Sequence, residues 1–183
     1  MRAPDRRLNT TCRRLLCLAA LSALVAGCDR QVEEGPWRSP IPFDTAVAWV
    51  HTETDSTQLL LEMAKSDAQH QFGLMTRPSL DAESGMVFLY DSLQTGDNGF
   101  WMFRTKVPLD IAFLDRGNMI LTILSMEPCL STNPQLCQVY APGIDYWGAL
   151  EVNRGWFTRH GVGVGGRVVF DAAAKPEAPP SGS

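Results

Sequence analysis

The chain has 183 residues, 45% of them hydrophobic, with 16 Lys plus Arg against 20 Asp plus Glu and a formal net charge of −4. Beyond residue 27 no basic run occurs, so there is no electrostatic footprint for nucleic acid, because phosphate binding needs clustered basic side chains. The length suits one domain with a sizeable core rather than several.

The N-terminus reads as a targeting segment. Arg2, Arg6, Arg7, Arg13 and Arg14 precede a short apolar run over residues 15–25. Such a run is too short to span a bilayer as a mature helix and marks a secretory signal peptide over residues 1–27. It ends Leu24-Val25-Ala26-Gly27-Cys28, which resembles the lipobox of bacterial lipoproteins. The resemblance implies cleavage after Gly27, acylation of Cys28, and anchoring to a membrane through N-terminal acyl chains. One acyl chain binds only marginally, at about 0.8 kcal/mol per buried methylene, so several are needed for a stable anchor. Asp29 after the Cys resembles an inner-membrane retention signal, which places the chain in the cell envelope, facing the periplasm or exterior, with the inner membrane favoured. Without the leader, 11 basic and 19 acidic residues remain, a net charge of −8. No second long apolar segment follows.

Residues 28–44 are rich in proline and charge and read as a tether. From residue 45 the pattern is that of short strands. "TAVAWVHT" alternates and "STQLLLEMA" is a second apolar run. Ser66-Asp67-Ala68-Gln69 has the form of a capping box, predicting a short helix that ends near Met75. "GMVFLY", "GFWMF", "LDIAFLD" and "NMILTILSM" follow as predicted strands. Asp115-Arg116-Gly117-Asn118 between the last two predicts a hairpin turn, with Gly117 supplying a positive φ. Cys129 and Cys137 flank a Ser/Asn/Pro loop, and in an exported domain they read as a structural disulfide. Two alternatives stand beside that reading, a redox pair and a soft-metal site. Redox motifs hold their cysteines two apart, however, and no His is nearby. "QVYA", "WGALEV" and "RVVF" complete seven to nine strands, with one or two helical turns in "NRGWFTRHG". "GVGVGGRV" precedes a strand rather than opening a helix, so it reads as a tight turn and not a phosphate cradle. Residues 172–183 are a small, Pro-rich tail expected to be disordered. The fold class is therefore α+β, mainly β, with a compact barrel-like or half-closed domain over 45–171.

Four segments, "FGLMTRPSL", "GMVFLY", "FWMFRTKVPLDIAFLD" and "GALEVNRGWFTRHGV", occur in an order and spacing that resemble the domain-of-unknown-function 192 family, over about residues 58–170. The resemblance implies a β-rich single domain with short helices and no established reaction. Two positions depart from the family pattern. Arg104 precedes Thr105 where the family often has Asn, and Gly165-Gly166 stands where it often has Gly-Asp.

Asp110 and Glu151 each interrupt an apolar strand, and strand alternation gives Asp110 the face of Ala112 and Leu114. A carboxylate there must be paired, hydrogen-bonded or protonated. It is either a brace, with Arg104, Arg77 or Arg154 as partner, or part of a ligand pocket. Trp101 and Thr105 stand close by in sequence, so Trp101, Thr105, Asp110 and Glu151 are the ligand-binding candidates, for a small polar ligand such as a carbohydrate. Phe100 and Phe103 are expected in the core. The remaining methionines are too widely spaced for copper, and His51, His70 and His160 are scattered without metal-ligand spacing. No cofactor or nucleophile elbow is indicated. The sequence thus points to a non-enzymatic ligand-binding or accessory module, with a small polar ligand or an envelope protein as partner. The alternative is a hydrolase acting on an envelope or carbohydrate substrate through Asp110 and Glu151.

Overall fold

The computed structural model describes residues 37–171. The expected signal peptide, Cys28, the first part of the tether and the C-terminal tail lie outside the described residues. Nine strands and two short α-helices follow in the order β1 (Asp44–His51), β2 (Ser56–Ala64), α1 (Asp67–Phe72), β3 (Ser84–Gln94), β4 (Phe100–Trp101), β5 (Leu109–Leu114), β6 (Ile120–Met126), β7 (Val139–Tyr140), β8 (Tyr146–Asn153), α2 (Trp156–Arg159) and β9 (Arg167–Asp171).

Seven strands form one sheet in the order β6-β5-β8-β3-β2-β1-β9, and β4 pairs with β7 in a small second ribbon. All pairs are antiparallel except β2 with β3, whose crossover carries α1. The sheet curls until its two edges meet at one corner. There Met119 bridges Arg167, and the Ile120 amide donates to the Gly166 carbonyl at 2.8 Å. The result is the half-closed barrel that short strands between Gly-rich turns predict.

Alternation assigns each strand residue to one of two cores. Ala48, Leu59, Leu61, Val87, Ala112, Leu114, Leu150 and Val152 fill the face also covered by Trp156 and Phe157 of α2. Met86, Phe88, Leu109, Ile111, Phe113 and Ala149 fill the other face, beneath Leu74, Met102 and Tyr140. All six residues of β5 are buried. This is why it reads as a continuous apolar run: a central strand covered on both sides has no solvent face to mark. Leu59, Leu61, Leu109, Ile111 and Leu114 are fully buried, contributing about 1.5–3 kcal/mol each.

Several local expectations are met and others are corrected. Ser66 and Gln69 form the reciprocal capping box, but α1 ends at Phe72 rather than near Met75, because Gly73 turns the chain with φ +49° and donates to the Gln69 carbonyl. The β5–β6 turn is a hairpin, yet Asn118 and not Gly117 takes the positive φ, at 60°. Asn tolerates that region, and the Asp115 carboxylate secures the turn by accepting from the Gly117 and Met119 amides at 2.7 and 2.8 Å. "GFWMF" yields only the two-residue β4, since a turn follows in which the Thr105 amide donates to Met102 O. Cys129 and Cys137 are joined by a disulfide. The end of the expected tether is seated on the domain. Gln69 Nε2 donates to Pro42 O at 2.8 Å, Phe43 packs on the core, and the Arg77 guanidinium lies 4.8 Å from the Trp37 ring.

Candidate functional site

Asp110 and Glu151 sit on the paired strands β5 and β8, where Asp110 opposes Val152 and Ile111 opposes Glu151. Directly opposed residues share a face, so the two carboxylates project to opposite sides of the sheet. They do not form a pair.

Asp110 is 5% exposed, and both its oxygens are occupied. Ser125 Oγ on β6 donates to Oδ1 at 2.7 Å, and the Gly155 amide donates to Oδ2 at 2.7 Å. Gly155 lies in the left-handed region, with φ 78°, at the entry to α2. Asp110 thus ties three elements together and sets the position of Trp156, which is fully buried and donates through Nε1 to Glu83 at 2.8 Å. The expected arginine partner is corrected to a hydroxyl and a backbone amide. Arg77 is engaged bidentately by Glu62, and Arg154 pairs with Glu127 at 2.7 Å. A carboxylate that meets a helix-start amide and a neighbouring strand's hydroxyl needs no guanidinium to be satisfied.

Glu151 is the opposite case. It is 4% exposed, and among the described residues no group hydrogen-bonds to its carboxyl, whose oxygens open onto a cavity instead of being sealed in the core. It faces a small pit of about 30 Å³ lined by His70, Gly73, Phe88, Phe100, Trp101 and Thr105, among others. That volume holds a water or the tip of a ligand and nothing larger. Burial pushes the carboxyl up to about 8, because the charged form has lost its solvent. Burial, Tyr146 and Glu151 together raise the Tyr90 phenol above its ordinary range, while burial raises that of Tyr146 to about 12.

The walls of the pit follow from local sequence. α1 delivers His70, whose Nε2 lies 3.1 Å from the carbonyls of both Ala64 and Leu89. Two acceptors require that nitrogen to carry the proton, so Nδ1 keeps its lone pair in the neutral ring. Gly73 brings the chain against Phe88, whose Cζ would lie 3.3 Å from a Cβ there. Arg104, with φ 56°, turns the chain so that Thr105 is buried and Trp101, 42% exposed, stands at the rim. Thr76 also has a positive φ, and its amide donates to Arg104 O at 2.9 Å, joining the two strained segments beside the pit. A shallow, mostly apolar groove of about 350 Å³ adjoins it, lined by Ile41, Phe72, Met75, Trp101 and Phe103 among others and sharing Gln71, Phe72, Met75 and Trp101 with the pit.

The structure therefore brings together Trp101, Thr105 and Glu151 and leaves Asp110 on the far face. Phe100 packs in the core edge-on to Phe88 and Phe113, as expected. Phe103 does not: it stacks beside Trp101 along the groove, with ring centroids 5.6 Å apart. His70 was hidden from sequence reasoning because no spacing rule links it to Glu151. The only available signal was the capping box, which fixes the helix carrying it. Among the described residues, no group of three or more His, Cys, Asp or Glu gathers as a metal would require.

With the geometry established, comparisons place the chain among known proteins. The model of family DUF192, described as Uncharacterized ACR, matches residues 49–170. A crystal structure of a candidate transcription regulator from Sinorhizobium meliloti 1021 superposes with a TM-score of 0.63 at 24% identity, covering 72% of this chain and 98% of that one. A protein of unknown function from Novosphingobium aromaticivorans DSM 12444 superposes with a TM-score of 0.59 at 26% identity, covering 73% of this chain and 91% of that one. No curated protein matches.

Proposed function

This chain belongs to the DUF192 family, and we propose that it is an exported, lipid-anchored member whose Glu151 pit binds a small polar ligand without catalysing a reaction. One observation carries the binding reading: a nearly fully buried carboxyl without a partner among the described residues, facing a pit with an exposed tryptophan at its rim. Its oxygens are not sealed away but open onto the pit, so a carboxyl held largely out of water is offered there to whatever enters. Positive φ at Arg104 and Thr76, one residue from Thr105 and Met75 of the wall, fits the same reading, since backbone strain collects at binding sites.

Anchoring rests on the lipobox-like Leu24-Val25-Ala26-Gly27-Cys28. The regulator description of the Sinorhizobium protein is not carried over, because the chain without residues 1–27 has a net charge of −8 and no basic run.

The binding test is thermal unfolding of the full chain against sugars, amines, amino acids, nucleotides and metal salts, with Glu151→Gln alongside. A compound that raises the wild-type midpoint and leaves the variant's unmoved supports the site. Equal shifts in both proteins, or none in either, overturn it. For the anchor, Cys28→Ser is expected to abolish acyl labelling and membrane partitioning; a variant that stays membrane-bound contradicts lipidation.

A further inference from the structure

We propose that the ligand of this site is a primary amine on an apolar body, its ammonium seated in the pit against Glu151 and its body lying in the groove beside Trp101. The inference rests on the binding role of the pit and adds the chemical class.

Acceptor oxygens of Glu151 and Thr105 line the pit, together with Gln71, which can accept as well as donate. Once it gives up its proton, Glu151 supplies carboxylate oxygens with no partner among the described residues, and Thr105 Oγ1 keeps its lone pairs while donating only to Phe103 O at 3.4 Å. His70 is held in the pit wall by its Nε2, 3.1 Å from the carbonyls of Ala64 and Leu89. No Lys or Arg lines the pit. A group that is all donor complements such a surface, and a primary ammonium carries three N–H bonds and no acceptor. Size makes the same choice. About 30 Å³ admits an ammonium or a hydroxyl but not a trimethylated head. A metal ion finds too few ligands, since no metal-type cluster forms among the described residues.

The groove selects the rest of the molecule. Apart from Gln71 its lining is apolar, with Ile41, Phe72, Met75, Trp101 and Phe103, and it shares part of its wall with the pit. A chain that leaves the pit therefore passes onto apolar surface. Trp101, at the junction, can also meet a cation through its ring face.

Calorimetric titration of the purified full chain with hexylamine, hexanol, hexanoate and hexyltrimethylammonium tests this. Hexylamine is expected to bind, with the other three at least about tenfold weaker, as suits loss of a charge-assisted hydrogen bond. Glu151→Gln is expected to weaken hexylamine by about tenfold or more while keeping the wild-type circular dichroism. Trp101→Leu, at an exposed position with little risk to folding, is expected to weaken it by about two- to fivefold. Equal binding of hexanol and hexylamine, or undiminished hexylamine binding by Glu151→Gln, overturns the amine assignment. If none of the four binds while a different polar compound does so in a Glu151-dependent way, the amine assignment fails and the binding site stands. If nothing binds in that way, both fail.

Discussion

Asp110 and Glu151 are one residue out of step across the β5–β8 pair, and this offset sends one carboxylate to each face of the sheet. Each therefore has a separate task. Two-carboxylate hydrolysis needs both groups flanking one bond, which this register does not provide. Asp110 is satisfied by protein groups and holds α2 in place, whereas Glu151 faces the pit in which we propose a ligand binds.

Asp110→Ala is expected to destabilise the domain by about 2–3 kcal/mol, because it strands the Gly155 amide and the Ser125 hydroxyl. Denaturant unfolding measures this. A double-mutant cycle with Ser125→Ala should show coupling of about 1 kcal/mol or more, and an additive result would detach Asp110 from β6.

Glu151 should make stability fall as pH rises. Its folded pKa of about 8 stands above the ordinary 4.5, so between these values the native state holds a proton that the unfolded chain has released. Stability from this group is full below about 4.5, falls as pH rises, and levels off above about 8. Glu151→Gln removes the slope, and at pH 8 the variant should be more stable than wild type by about 2 kcal/mol, having no buried charge to desolvate. Urea midpoints from pH 5 to 9 for both proteins check it.

Arg104 adopts φ 56°, a region that costs a side chain other than Gly, Asn or Asp about 1–2 kcal/mol. Asn tolerates that backbone better than Arg. Arg104→Asn is expected to raise stability by about 0.5–1 kcal/mol. Arg104→Ala keeps the strain and loses the contact with the Phe103 ring at 5.3 Å, so no gain should follow. Thermal midpoints of the two variants separate these outcomes.

Reducing the Cys129–Cys137 bond, or replacing both by Ser, should cost about 2–3 kcal/mol for so short a loop. The consequence reaches the site, because the Arg104 amide donates to Cys129 O at 2.8 Å and Trp101 pairs with Val139 just beyond the loop. Trp101 emission should shift to the red on reduction in a variant in which the other four tryptophans are Phe. An unchanged spectrum would show that the loop does not support the rim.

Much of the frame was legible in the residues. The capping box at Ser66, the limits of β2, the hairpin at 115–118 and the Cys pair all rest on local signals, which act over a few residues. Burial of Asp110 and Glu151 was also readable from their apolar neighbours. Their faces were not, because only the register of β5 against β8 decides that, and register depends on chain far apart in sequence. The same holds for His70 beside Glu151, and for Phe103, which the turn at Arg104 carries out of the core and onto the groove.

The most direct test of this account is a carbon-13 NMR titration of the Glu151 side-chain carboxyl, assigned by comparison with Glu151→Gln. The account predicts a midpoint near 8, moving down when hexylamine is added, because an ammonium in the pit favours the charged carboxylate. A midpoint near 4.5, indifferent to the amine, would mean that the carboxyl is solvated or already satisfied and that the pit is not a binding site.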